Sequence, residues 1–156
     1  MKERLPTVVT AVLIISALFF FAHRSGREPK APTTPEEAVW RMSDAAREGD
    51  VKVYLNCFSG ELRRKLERTV TEMGEIQFKQ YLKKVNEEIT GIAVSDLEQS
   101  DQQTATLRVE FVFHGKTEAQ KHHFKLIDGT WRIDSMENGE RVKTLIPYGR
   151  EVEDKE

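Results

Sequence analysis

Hydrophobic and polar positions along the chain fall into three regimes. Leu5 to Ala22 is a run of 18 residues without a charge. From Thr34 to Val85 apolar residues recur every three to four positions, the period of helices lying on a surface. From Ile89 to Met136 apolar and polar residues alternate, the period of strands covered on one face.

As a helix the first run would be roughly 27 Å long, close to the ~30 Å hydrocarbon core of a bilayer. Lys2 and Arg4 precede it, and Arg24, Arg27 and Lys30 follow. A cleaved signal peptide needs small residues at the −3 and −1 positions. Cleavage after Ala22 puts Phe20 at −3, and cleavage after Ala17 puts Ile15 there. Residues 1–23 are therefore expected to form an uncleaved signal anchor, a single-pass transmembrane helix. The flanking basic residues weakly favour a cytoplasmic domain. A short tail ahead of a signal-like apolar core stays inside, however, so the C-terminal domain is expected on the extracytoplasmic side of a cell inner membrane. Residues 24–33, with Gly26, Pro29 and Pro32, read as a semi-extended linker.

The helical regime opens on a capping box, with Thr34 as N-cap, Pro35 at the first helical position and Glu37 reaching back. Ala38, Met42, Ala45 and Ala46 form its apolar stripe, widened by Val39 and Trp40, and Gly49 ends the helix. Asp50 caps a short helix over 51–58. Two narrower stripes follow over 61–73 and 75–85, separated by Gly74. Such stripes need another surface, and the strands supply it: 89–97, 104–113, 120–127 and 130–136. Asp128-Gly129 is a two-residue hairpin turn. Across it Leu126 should face Trp131, Phe124 should face Ile133 and His122 should face Ser135. Helices first and an antiparallel meander second predict an α+β fold, with helices on one face of a sheet of about four strands. The domain is expected over 34–137. Residues 138–156 form an extension with an apolar cluster (Val142, Leu145, Ile146, Pro147, Tyr148) and a disordered acidic end.

Composition narrows the function classes. A formal net charge of −2 lacks the basic excess of a nucleic-acid binder. The single cysteine, Cys57, excludes an internal disulfide and a cysteine-based zinc cluster, and reads as a buried inert thiol. Arg63, Arg64, Lys65 and Arg68 are interleaved with Glu61, Glu67 and Glu72, the pattern of a solvated helix face.

The pairing above puts His122 on the apolar face with Phe111, Phe113, Phe124, Trp131 and Ile133. A histidine among aromatics, with Ser135 or Tyr54 as hydrogen-bond partner, is a candidate ligand group or general base. The competing reading is a core histidine satisfied by a hydroxyl or the backbone. His123 points the other way, and adjacent strand residues cannot share a metal from one face. No metal site and no cofactor are expected. Of the carboxylates near the strands, Asp96, Asp134 and Glu110, the last two fall opposite the apolar face, so no catalytic residue is assigned.

Pro35-Glu36-Glu37-Ala38, then Gly49-Asp50 with a short helix, then Leu126-x-Asp128-Gly129-x-Trp131-x-Ile133 resemble the nuclear transport factor 2-like superfamily. In particular they are similar to its small bacterial branch of membrane-anchored or lipoprotein domains. The resemblance implies a curved, cystatin-like sheet wrapped around a helix to leave a cone-shaped cavity. It implies no single activity, because relatives include ketosteroid isomerases, polyketide cyclases and pocketless assembly modules. The leading expectation is a membrane-anchored, noncatalytic binding or scaffold domain in an envelope assembly, with a protein partner or a homodimer. The alternative is a small-ligand binder or enzyme using the cavity around His122, with Tyr54, Phe111, Trp131 and Ser135.

Overall fold

The computed structural model describes residues 31–142. Helices α1 (Pro35–Glu48), α2 (Val51–Asn56), α3 (Gly60–Met73) and α4 (Glu75–Glu87) precede strands β1 (Ile89–Gln99), β2 (Thr104–Phe113), β3 (Lys116–Ile127), β4 (Thr130–Met136) and β5 (Glu140–Arg141). The expected anchor, residues 24–30 of the linker, and the apolar cluster beyond Val142 with the acidic end lie outside the described residues. Among the described residues no helix is long and apolar enough to cross a membrane.

Local side-chain chemistry sets the helix ends. The Thr34 hydroxyl accepts from the Glu37 amide at 3.2 Å. Glu37 closes the loop one residue earlier than a standard box: its Oε2 accepts from the amide and hydroxyl of Thr33, at 2.6 and 2.8 Å. Gly49, at φ 69°, ends α1. The amides of Gly49 and Asp50 donate to the carbonyls of Ala46 and Ala45, a Schellman pair that satisfies the last turn. The Asp50 carboxylate then accepts from the Val53 amide at 2.9 Å and starts α2. Trp40 does not widen the buried stripe; it is exposed, because it lies about 200° round the helix from Ala38.

α2 stops at Asn56, short of the expected Phe58, because the chain there turns extended along the outer edge of β4. Ile133 donates its amide to Cys57 O at 2.8 Å and accepts from Ser59 N at 2.9 Å. Trp131 N donates to Pro32 O at 3.1 Å. These bonds cover an edge that would otherwise offer free backbone groups.

The sheet is antiparallel in the order β1-β2-β3-β4, with β5 also on β3, so the fold is α+β. Register shifts interrupt β1 between Ile89 and Gly91 and between Ser95 and Glu98. A third falls where β3 meets β4. Such bulges bend strands and give the sheet its curvature. β3 begins at Lys116 rather than Gln120, after a turn at Gly115. Pairing also continues past Glu137. Glu140 and Arg141 pair with Ala119 and Glu118, and the Val142 amide donates to Thr117 O at 2.9 Å.

The inner face of the sheet contributes Ala105, Leu107, Val109, Phe124, Trp131 and Ile133 to the core, against Ala38, Val39 and Met42 of α1 and Phe58. Phe78 and Leu82 of α4 with Val51 form a second cluster. The outer face is polar, with Arg108 and Glu110 paired at 3.0 Å. Ile127, Leu126 and Phe124 oppose Thr130, Trp131 and Ile133 as the alternation predicts. Beyond them the register departs from expectation. Asp134 is the extra residue of a bulge, so Ser135 pairs with His123 and Met136 with His122.

Candidate functional site

A cavity of about 260 Å³ lies between the helices and the inner face of the sheet. Met42, Ser43 and Ala46 face it from α1, Tyr54 from α2, and Tyr81, Leu82, Val85 and Asn86 from α4. Ile89, Ile92, Phe111, Phe113, Gln120, His122 and Met136 complete the wall from the strands. The exposed side chains of Tyr81, Val85 and Met136 form its rim. Its volume falls just below the ~300–1,000 Å³ of clefts for drug-sized ligands, so it suits a smaller molecule. Among the described residues, no Asp, Glu, Lys or Arg lies in the wall.

His122 sits at the base of this wall and has no exposed surface. Its ring lies between those of Phe111 and Phe124, at centroid distances of 6.1 and 6.3 Å. Nε2 is 3.2 Å from Oε1 of Gln120, two residues back on the same strand face. Nδ1 is buried and has no hydrogen-bond partner among the described residues. Burial, followed by the neighbouring charge of His123, pushes the His122 pKa down to about 4, so the ring is neutral at pH 7. Gln120 is itself confined. A Cβ added at Gly139 would sit 3.3 Å from both Gln120 Cγ and Nε2.

Tyr54 stacks edge-on against Phe58 and Phe78, at 5.0 and 6.1 Å. Burial first, then Tyr81 and Cys57, push its phenol up to about 12. Cys57 is buried, with burial raising its thiol to about 11, and its Sγ donates to Val53 O at 3.3 Å. That is an inert thiol rather than a nucleophile.

Of the five residues picked out by sequence, Tyr54, Phe111 and His122 meet in the cavity wall. Trp131 does not. At 5% exposure it belongs to the core cluster against which Leu126 packs. Ser135 does not face His122 either, because the Asp134 bulge turns it to the opposite side beside His123. Met136 takes its place. Gln120, the partner of His122, carries no distinctive signal in the sequence, although the two-residue strand period places both on one face.

The other polar groups hold structure. His123 bridges Thr106 Oγ1 at 3.0 Å and Glu137 Oε1 at 2.9 Å. Asp134 accepts from Ser59 Oγ at 3.0 Å and pairs with Lys125 at 2.8 Å. On α3, Arg63 pairs with Glu67 and Arg64 with Glu61. Among the described residues no three His, Cys, Asp or Glu side chains could hold a metal ion.

No family model matches the chain, and no curated protein matches it. Solved structures do. An NTF-2-like protein of unknown function from Silicibacter pomeroyi is 19% identical, with 65% of this chain and 87% of that chain covered and a TM-score of 0.43. A second, from Shewanella oneidensis, is 12% identical over 64% and 91%, with a TM-score of 0.45. A protein of unknown function with a cystatin-like fold from Nostoc punctiforme is 15% identical over 65% and 84%, with a TM-score of 0.41. All three likenesses are at 19% identity or below, with TM-scores under 0.5.

Proposed function

We propose that this domain is a noncatalytic binding module for a small, largely apolar molecule, held at a membrane by the Leu5–Ala22 segment. The observation that carries the reading is the 260 Å³ cavity, walled by aromatic and aliphatic side chains around a neutral, buried His122. A catalytic reading finds less support. Acid–base work needs a second titratable group tuned toward neutrality. Among the described residues the wall offers tyrosines alone beside His122, and the Tyr54 phenol is held at about 12.

Naphthalene, a rigid apolar probe of suitable size, should raise the melting temperature of the full chain. The gain should disappear in Ala46→Trp, which fills the cavity from α1. An unchanged melting temperature at saturating naphthalene would refute the binding reading. For the anchor, an alkaline phosphatase fused after Glu156 should be active in a bacterial host. An inactive fusion would place the domain in the cytoplasm.

A further inference from the structure

Two buried side-chain nitrogens lack a partner among the described residues, Nε of Arg132 and Nδ1 of His122, and only the second belongs to the cavity wall. A neutral imidazole donates from one nitrogen and accepts at the other. The partner of Nε2 is a carbonyl oxygen, Gln120 Oε1, which can only accept. Nε2 therefore carries the proton and Nδ1 the lone pair. Ser43, Tyr54, Tyr81 and Asn86 share the wall, yet none donates to it. A buried acceptor without a donor costs stability, and native structures seldom keep one without a use.

We propose that the ligand of this cavity is a small, mainly apolar molecule bearing one neutral hydrogen-bond donor, a phenol or alcohol, whose O–H pairs with Nδ1 of His122. The inference rests on the cavity being a binding site and adds what is recognised there. An ether of the same shape supplies no donor and leaves Nδ1 unpaired. A carboxylate fares worse, because the wall holds no cation among the described residues and the charge would be buried uncompensated. The four aromatic rings of the wall, Tyr54, Tyr81, Phe111 and Phe113, favour a ring-bearing ligand over a flexible chain. Nδ1 has less than 1 Å² of open surface, so neighbouring wall side chains must give way as the hydroxyl docks, and bulk water competes little for the bond once it has.

The test compares 2-naphthol, 2-methoxynaphthalene and 2-naphthoate, titrated by fluorescence against the full chain at pH 7. The naphthol should bind at least tenfold more tightly than the methyl ether, and the naphthoate most weakly. In His122→Phe the naphthol and the ether should bind alike. Equal binding of naphthol and ether to the wild-type chain overturns this inference while leaving the cavity reading intact. Failure of all three to bind overturns both. A preference for the ether or the naphthoate would mean that Nδ1 carries the proton, which also overturns it. Should His122→Phe fail to fold, long-range proton–nitrogen NMR of the wild-type chain decides. The unprotonated Nδ1 signal should move upfield with 2-naphthol and stay in place with the ether. A protonated Nδ1 in the free chain, or a signal that naphthol leaves unmoved, would refute the proposal.

Discussion

Burial holds the imidazole of His122 at a pKa of about 4, with the charge of His123 as the smaller cause. In the unfolded chain the same ring titrates near the usual value of about 6.5. Between these values the unfolded state binds a proton that the folded state refuses, so stability falls as pH falls. The contribution is fully present above about pH 6.5 and is lost as the pH drops through about 4. From pH 7 to pH 5 the loss amounts to about 2 kcal/mol. Asp134 adds acid sensitivity of the same sign. Burial alone would raise its pKa, but hydrogen bonds from Lys125 and Ser59 outweigh that and lower it. Comparison with His122→Phe isolates the histidine. Chemical denaturation at the two pH values should show the wild-type chain losing about 2 kcal/mol more than the variant. Equal losses would mean that His122 is not sealed from water. Alternation along β2 and β3 made the inward placement of His122 and Phe111 legible in the sequence. The same rule held for Gln120, which has no distinctive chemistry to attract notice. Ser135 departs from the alternation because one extra residue at Asp134 reverses every side chain beyond it.

Elements were legible where a side chain acts on its own backbone. Thr34, Asp50 and Gly49 cap helices through bonds within a few residues, so their chemistry can be read without knowing the rest of the fold. The bulges and the bridge from Phe58 to Ile133 are long-range. Phe58 looked helical because its spacing suits α2, yet pairing with Ile133 in β4 wins. The junction between this bridge and α3 is tight. Gly60 has φ 57°, and a Cβ there would lie 2.7 Å from Asp134 Oδ1. That carboxylate cannot easily retreat, since Ser59 and Lys125 hold it. Gly60→Ala should therefore cost about 1–2 kcal/mol for the left-handed backbone, with a further penalty for the collision. In an Asp134→Ala background the collision is gone and only the backbone cost remains. A double-mutant cycle by equilibrium denaturation should show that difference, whereas additive effects would mean the carboxylate moves aside freely.

At the scale of the whole molecule, helices and strands share one inner face but do not fill it evenly. Near β4 the space is closed: Trp131, Ile133, Phe124 and Phe58 pack with Val39 and Ala38. Toward the far end of β2, small side chains of α1, Ser43 and Ala46, stand across from Phe111 and Phe113, and the cavity lies between. The α+β layering was legible from the change of period at Ile89. The cavity was not, because it depends on distances between helices and sheet that no local pattern records. From sequence alone Trp131 and Phe111 look equivalent, two aromatics on one apolar face. Three-dimensional packing separates them. Trp131 is enclosed by neighbours and also lies where its amide ties β4 to Pro32, so truncation leaves a void in solid packing. Trp131→Ala should cost about 3–5 kcal/mol. Against the total of about 5–15 kcal/mol available to a domain, that leaves a marginal fold. Phe111 already borders open space and is only partly buried, so fewer contacts vanish with its ring. Phe111→Ala should cost about 1–2 kcal/mol less than Trp131→Ala while enlarging the cavity. Urea denaturation of the two variants measures the gap directly. Equal destabilisation would show that the space beside Phe111 is as tightly packed as the core around Trp131, and the cavity on which the binding reading depends would be gone.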